Sequence, residues 1–143
     1  MLYSTLIFLH GVVRWLIVGA AIWTIARPLE KKPGLSLVIA VDTQVLLGLL
    51  MYTAVSPITQ LALANMKMAM KDHALRFWAV EHPFAMMLVL AAVHGGRVAA
   101  RKAKDEDTKR RRVVMWTAIA LILVLIGMPW PFLPYGRSLV PHF

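Results

Sequence analysis

The stretch LYSTLIFLHGVVRWLIVGAAIWTIARPLEKKPGLSLVIAVDTQVLLGLLMYTAV, residues 2–55, decides the fold. It holds two apolar runs, Leu2 to Ala26 and Leu35 to Val55, separated by a short connection that carries Arg27, Lys31 and Lys32. Each run reaches the ~20 residues that a helix needs to cross a bilayer at ~1.5 Å per residue. Two spans joined by so short a link form an antiparallel hairpin. The first run is too long for the core of a signal peptide, lacks a basic leader and carries His10 and Arg14 in its interior, so it reads as helix 1 of the folded protein.

Two further runs follow, Phe77 to Val98 and Val113 to Met128, and the second pair forms another hairpin through the basic loop 97–112. The last run stops at Met128-Pro129-Trp130-Pro131, because two prolines end a helix and an indole between them anchors at the interface. The tail beyond is expected outside the bilayer core. The whole chain of 143 residues is 59% hydrophobic and 16% charged, with a mean hydropathy of +0.67, so lipid rather than water is the solvent for most of it. The expected fold is all-α, a single integral membrane domain of four helices, about 2–26, 35–55, 77–98 and 113–128. The long loop 56–76 carries Leu61, Leu63, Met66 and Met70 with Lys67 and Lys71, the pattern of an amphipathic segment lying on the outer surface.

The formal charge of +9 does not point to nucleic acid. Eleven of the sixteen Lys and Arg residues fall in the first and third connections, between apolar runs, where they act as topology signals. These connections are therefore cytoplasmic, which places both termini outside, on the periplasmic side of a bacterial inner membrane. No soluble basic face is left to meet DNA or RNA. The absence of cysteine excludes disulfides, thiolate zinc, iron–sulfur clusters and covalent c-type haem.

Ionisable groups inside a span cost a few kcal/mol each on insertion scales, so each one needs a partner or a function. His10, Arg14, Asp42, Glu81 and His82 are the five. Arg14 and Asp42 lie at comparable depth, roughly 16–20 Å below the outer surface. An Arg14–Asp42 ion pair locking the first hairpin, with Gln44 adding hydrogen bonds, is one expectation; a bound anion or acidic cofactor group at Arg14 is the other. His10 and His82 sit roughly 8–11 Å below the same surface on helices that run in the same direction. Two neutral imidazoles from different helices of a bundle are the axial ligand set of a b-type haem. The simpler alternative has each histidine bonded to a neighbouring helix and holding nothing. Gly11 and Gly48 would leave room for a flat macrocycle, and Arg14, one turn from His10 on the same face, could meet a propionate.

Pro83 cannot donate to the carbonyl of Ala79, so Glu81-His82-Pro83 is either a first turn or a kink. Glu81 would then orient an imidazole, carry protons or cap the helix start. His94 has no other histidine at its depth and is read as structural or interfacial. Met66, Met68 and Met70 with His73 resemble a soft copper site, but helical spacing turns Met68 away from the other two, which favours methionines dipping into the lipid.

Taken together, Leu9-His10-Gly11-Val12-Val13-Arg14-Trp15, Asp42-Thr43-Gln44 with Gly48 and Tyr52, Met70-Lys71-Asp72, Arg76-Phe77, Val80-Glu81-His82-Pro83 and Pro129-Trp130-Pro131 resemble a group of small bacterial four-helix membrane proteins labelled cytochrome b-like. The resemblance covers nearly the whole chain and implies His10 and His82 as ligands of one haem b. There is no nucleophile with a base and no phosphate loop, so an electron carrier is expected rather than an enzyme. Expected partners are the bilayer, quinone, a periplasmic redox protein or a larger membrane complex, and a homo-oligomer is compatible. A cofactor-free accessory subunit of such a complex is the rival reading, with copper handling third.

Overall fold

The computed structural model describes residues 1–140, and every regular element among them is helical. The elements are α1 (Leu2–Ala26), α2 (Leu35–Leu50), α3 (Pro57–Ala64), α4 (Met66–Ala69), α5 (His73–Arg76), α6 (His82–Arg101) and α7 (Glu106–Gly127). A wide turn of π-helix, Met51–Val55, lengthens α2, and a second, Phe77–Glu81, joins α5 to α6. Three helices are thereby long and apolar enough to cross a membrane: Leu2–Ala26, Leu35–Val55 and His73–Arg101. The fourth long helix, α7, spends its first turns on Glu106, Asp107, Lys109 and Arg110 to Arg112, so its uncharged part begins only at Val113.

Local chemistry sets the helix ends. Gly34 precedes α2 at φ 71°, a left-handed conformation that suits glycine alone at low cost. The π turn at the end of α2 bonds Ser56 N–H to the Met51 carbonyl at 2.8 Å, five residues back. That leaves the Tyr52 carbonyl to the Thr59 hydroxyl at 3.0 Å. Pro57, which has no N–H, leaves the Thr53 carbonyl to the Gln60 amide at 2.8 Å. Ser56, Asn65 and Asp72 accept bonds as N-caps of α3, α4 and α5. Asp105 does the same for α7, accepting from Thr108 N–H at 2.7 Å and from its hydroxyl at 2.9 Å.

These caps correct three sequence boundaries. The outer loop is not one amphipathic segment but three short helices. The third long helix starts near His73 rather than Phe77, because the Asp72 cap and the π turn carry it across Arg76. The basic loop 97–112 shrinks to the few residues between Arg101 and Glu106, since Asp105 nucleates α7 early and pulls Arg110 to Arg112 into it.

α1 packs on α2 and α7, and α6 packs on α7 and α2, so the four long helices form a ring with α1 and α6 diagonal to each other. Buried positions are mostly small, among them Ala21, Val41, Val89, Ala92, Ala120 and Val124. Large apolar residues such as Leu16, Leu46, Phe84 and Ile126 face outward on all four helices, which is the arrangement a lipid solvent rewards. Gly96 lets α6 close on α7, because a Cβ there would run into the Trp116 side chain. The bundle is thus tight at the end that holds the α1–α2 and α6–α7 connections. It opens at the other end, where the termini and α3–α5 gather.

Candidate cofactor site

The open end encloses a cavity of about 600 Å³ with a mainly apolar wall, and His10, His82, Arg14 and Arg137 lie on that wall. A cavity of this size falls within the range that holds drug-sized ligands and cofactors. Each polar group reaches it by a separate piece of local structure.

His10 comes from α1. The Gln44 amide on α2 donates to the His10 carbonyl at 3.0 Å and ties the two helices at this level. One turn along α2, a Cβ at Gly48 would sit 3.4 Å from His10 Cε1. That is ordinary contact distance, and Gly48 and Gly11, the two glycines expected to leave room for a macrocycle, both line the cavity. His10 Nδ1 is buried with no hydrogen-bond partner among the described residues.

His82 comes from α6, at the first residue after the π turn. Pro83 deprives the Ala79 carbonyl of its helical donor, and the Tyr52 hydroxyl from α2 supplies the missing bond at 2.9 Å. Wide turns of this kind recur at functional sites because they re-aim a side chain without ending the helix. The re-aimed His82 places Nδ1 2.8 Å from the Gly127 carbonyl, one of the last, otherwise unpaired carbonyls of α7. Donation by Nδ1–H to that carbonyl fixes the tautomer and leaves Nε2 with its lone pair. The two imidazole centroids stand 6.3 Å apart with ring planes at 62°.

Arg14 does not pair with Asp42. Its Nη2 donates to the Leu139 carbonyl at 2.8 Å and the Ser138 carbonyl at 3.3 Å, and Trp15 Nε1 donates to the same Leu139 oxygen at 2.8 Å. Ser138 and Leu139 of the tail, expected outside the bilayer core, thus pack back against the middle of α1. The tail does so through a tight turn: Arg137 N–H bonds the Pro129 carbonyl at 3.0 Å, and a Cβ at Gly136 would strike the Trp130 carbonyl. The turn delivers Arg137, whose guanidinium lies 4.8 Å over the Trp78 ring and donates to the Tyr3 hydroxyl at 3.0 Å. Arg14 Nε remains buried and unbonded among the described residues.

The other expected site residues lie elsewhere. Asp42 pairs with His94 at 2.8 Å on the outer face of α2 and α6. Glu81 turns away from the cavity and pairs with Arg76 at 2.6 Å, so it neither orients His82 nor lines the site. Met66 and Met68 on the short helix α4, and Met70 at its C-cap, are all exposed. No group of three or more His, Asp or Glu residues converges among the described residues. Sequence reasoning gave no role to Arg137, Gly127 or Tyr52; of these, only Tyr52 had a signal, since Pro83 announces a carbonyl in need of a donor.

No protein family, curated protein or solved structure matches this chain.

Proposed function

We propose that the chain is a membrane electron carrier of b-type cytochrome character, holding one haem between His10 and His82. In this reading all four long helices cross the membrane, α7 entering at Val113. The basic end is cytoplasmic and the cavity lies near the periplasmic face, the orientation that the charge asymmetry favours.

The observation that carries the reading is the imidazole pair on the wall of the cavity. Ring centroids 6.3 Å apart leave space between the two imidazoles, and one nitrogen of each would hold the iron of one haem. The donor set fits the group in three further respects. His82 is held in the ligating tautomer by a carbonyl, the outer partner that haem and metal histidines need. His10 carries a buried ring nitrogen with no protein partner. Arg14 and Arg137 offer two guanidiniums to a ligand that brings two carboxylates, and Arg14 Nε is unspent.

A bound haem supplies one-electron chemistry at iron, and the residues do the rest. The mainly apolar wall would limit water around the group, Gln44 ties the His10 backbone to α2, the Gly127 carbonyl holds the His82 imidazole, and the two guanidiniums would pair with its carboxylates. Electrons would be exchanged with quinone, a periplasmic redox protein or a larger respiratory complex. Titrating the purified protein with haem tests this. One equivalent should bind per chain, and His10→Ala and His82→Ala should each lower affinity at least about tenfold. A folded protein that takes up no haem favours instead a cofactor-free subunit whose buried polar groups fix helix packing.

A further inference from the structure

The Asp42–His94 pair lies outside the cofactor cavity and faces the wrong way for a membrane protein. Its two side chains remain 44% and 50% exposed, on helices α2 and α6 and among residues that face lipid. Polar pairs inside a bilayer almost always turn toward the bundle interior or a water-filled space. Asp42 begins the third turn of α2, and His94 is the same number of residues from the end of α6, so both lie roughly 10 Å in from the helix ends on the basic side.

The internal bond uses only half of each group. It joins His94 Nε2 to Asp42 Oδ1, and neither His94 Nδ1 nor Asp42 Oδ2 has a partner among the described residues. One is a donor when the imidazole is charged, the other an acceptor. Beside them α6 offers Ala91 and Gly95, one turn apart, and a Cβ at Gly95 would meet nothing within 4 Å. A small-residue step of this kind lets a second helix approach closely in lipid.

We infer that this face of α2 and α6 is the contact between two copies of the chain, related by a two-fold axis along the membrane normal. A second copy fits better than an unrelated helix, because the patch carries its own complement. Parallel copies in one membrane keep equivalent residues at equal depth, and Asp42 and His94 already share one depth. The rotation can then set a protonated imidazole of each copy to donate its Nδ1–H to the free Oδ2 of the other, an isologous contact. The small step at Gly95 supplies the close approach, and the polar pairs supply the register.

The chain has no cysteine, so single thiols can be placed cleanly. Gly95→Cys and Gly19→Cys both enter open space, and Gly19 lies on α1, diagonal to α6. In native membranes treated with a mild oxidant, Gly95→Cys should give at least about tenfold more disulfide-linked dimer than Gly19→Cys. The double change Asp42→Leu with His94→Leu replaces the pair by groups that lipid accepts, and added to Gly95→Cys it should cut the dimer about tenfold. Equal yields from the two thiols, no dimer from Gly95→Cys, a linked band of another mass, or a dimer untouched by the double change would each overturn the inference. None of these readouts depends on haem.

Discussion

His82 rests on Gly127: the imidazole Nδ1 lies 2.8 Å from the last carbonyl of α7, so the position of α7 sets the aim of a side chain on α6. The contact is close because residue 127 lacks a side chain. A Cβ there would stand 2.7 Å from Met86 Cε and 3.0 Å from Ala85 Cβ. The methionine tip can swing aside; the alanine Cβ is fixed to the α6 backbone and cannot.

Gly127→Ala should therefore push the end of α7 away from α6 and lengthen the His82 bond. Overpacking of this kind costs about 1–3 kcal/mol, and loss of a carbonyl partner lowers metal affinity by about 10–100-fold. Thermal unfolding in detergent and haem titration should both report the change. An unaltered affinity would mean that the carbonyl does not hold the ring.

Tyr52 and Pro83 should behave as a coupled pair. Tyr52→Phe leaves the Ala79 carbonyl without its donor, at a cost of about 1–3 kcal/mol for a buried group. Pro83→Ala restores a backbone N–H to the position from which that carbonyl would normally be served. In the Tyr52→Phe background, Pro83→Ala should recover part of the lost stability, although alone it recovers none. A double-mutant cycle on melting temperature measures this, and strict additivity would contradict the account.

The capping of α7 makes a prediction about pH. Hydrogen bonds from Thr108 N–H and then the Thr108 hydroxyl hold the Asp105 carboxyl below its ordinary value. A carboxyl held low in the folded state stabilises the helix start above the unfolded carboxylate range, and the effect is lost as pH falls through the lowered value. Protection of the Thr108 amide, its exchange relative to the intrinsic rate at the same pH, should thus hold down to the ordinary carboxylate range and fall below it. In Asp105→Ala it should be low throughout. The bonds are exposed, so global stability should change little.

The helices were legible because a bilayer imposes a simple rule on length and hydropathy, and residues 2–55 obey it twice. The depth match between His10 and His82 was legible for the same reason, since two hairpins make α1 and α6 parallel. Depth alone does not give direction around a helix, and there the reading failed. Gln44 and Asp42 are two residues apart, about 200° around the axis, so when Gln44 faces α1 Asp42 must face away. Glu81 and His82 differ by about 100°, and of the two only His82 lines the cavity. Arg14 found its partners in a tail more than a hundred residues distant, brought back by a turn that Gly136 permits. Such a contact leaves no local mark in the sequence.

The visible and paramagnetic resonance spectra of the oxidised protein, purified with haem, test most directly whether His10 and His82 hold one iron between them. Two imidazoles on one iron give a low-spin ferric centre. His10→Ala and His82→Ala should each convert the centre to high spin or empty it. A folded protein that stays colourless, or a low-spin spectrum that survives both substitutions, would contradict the claim.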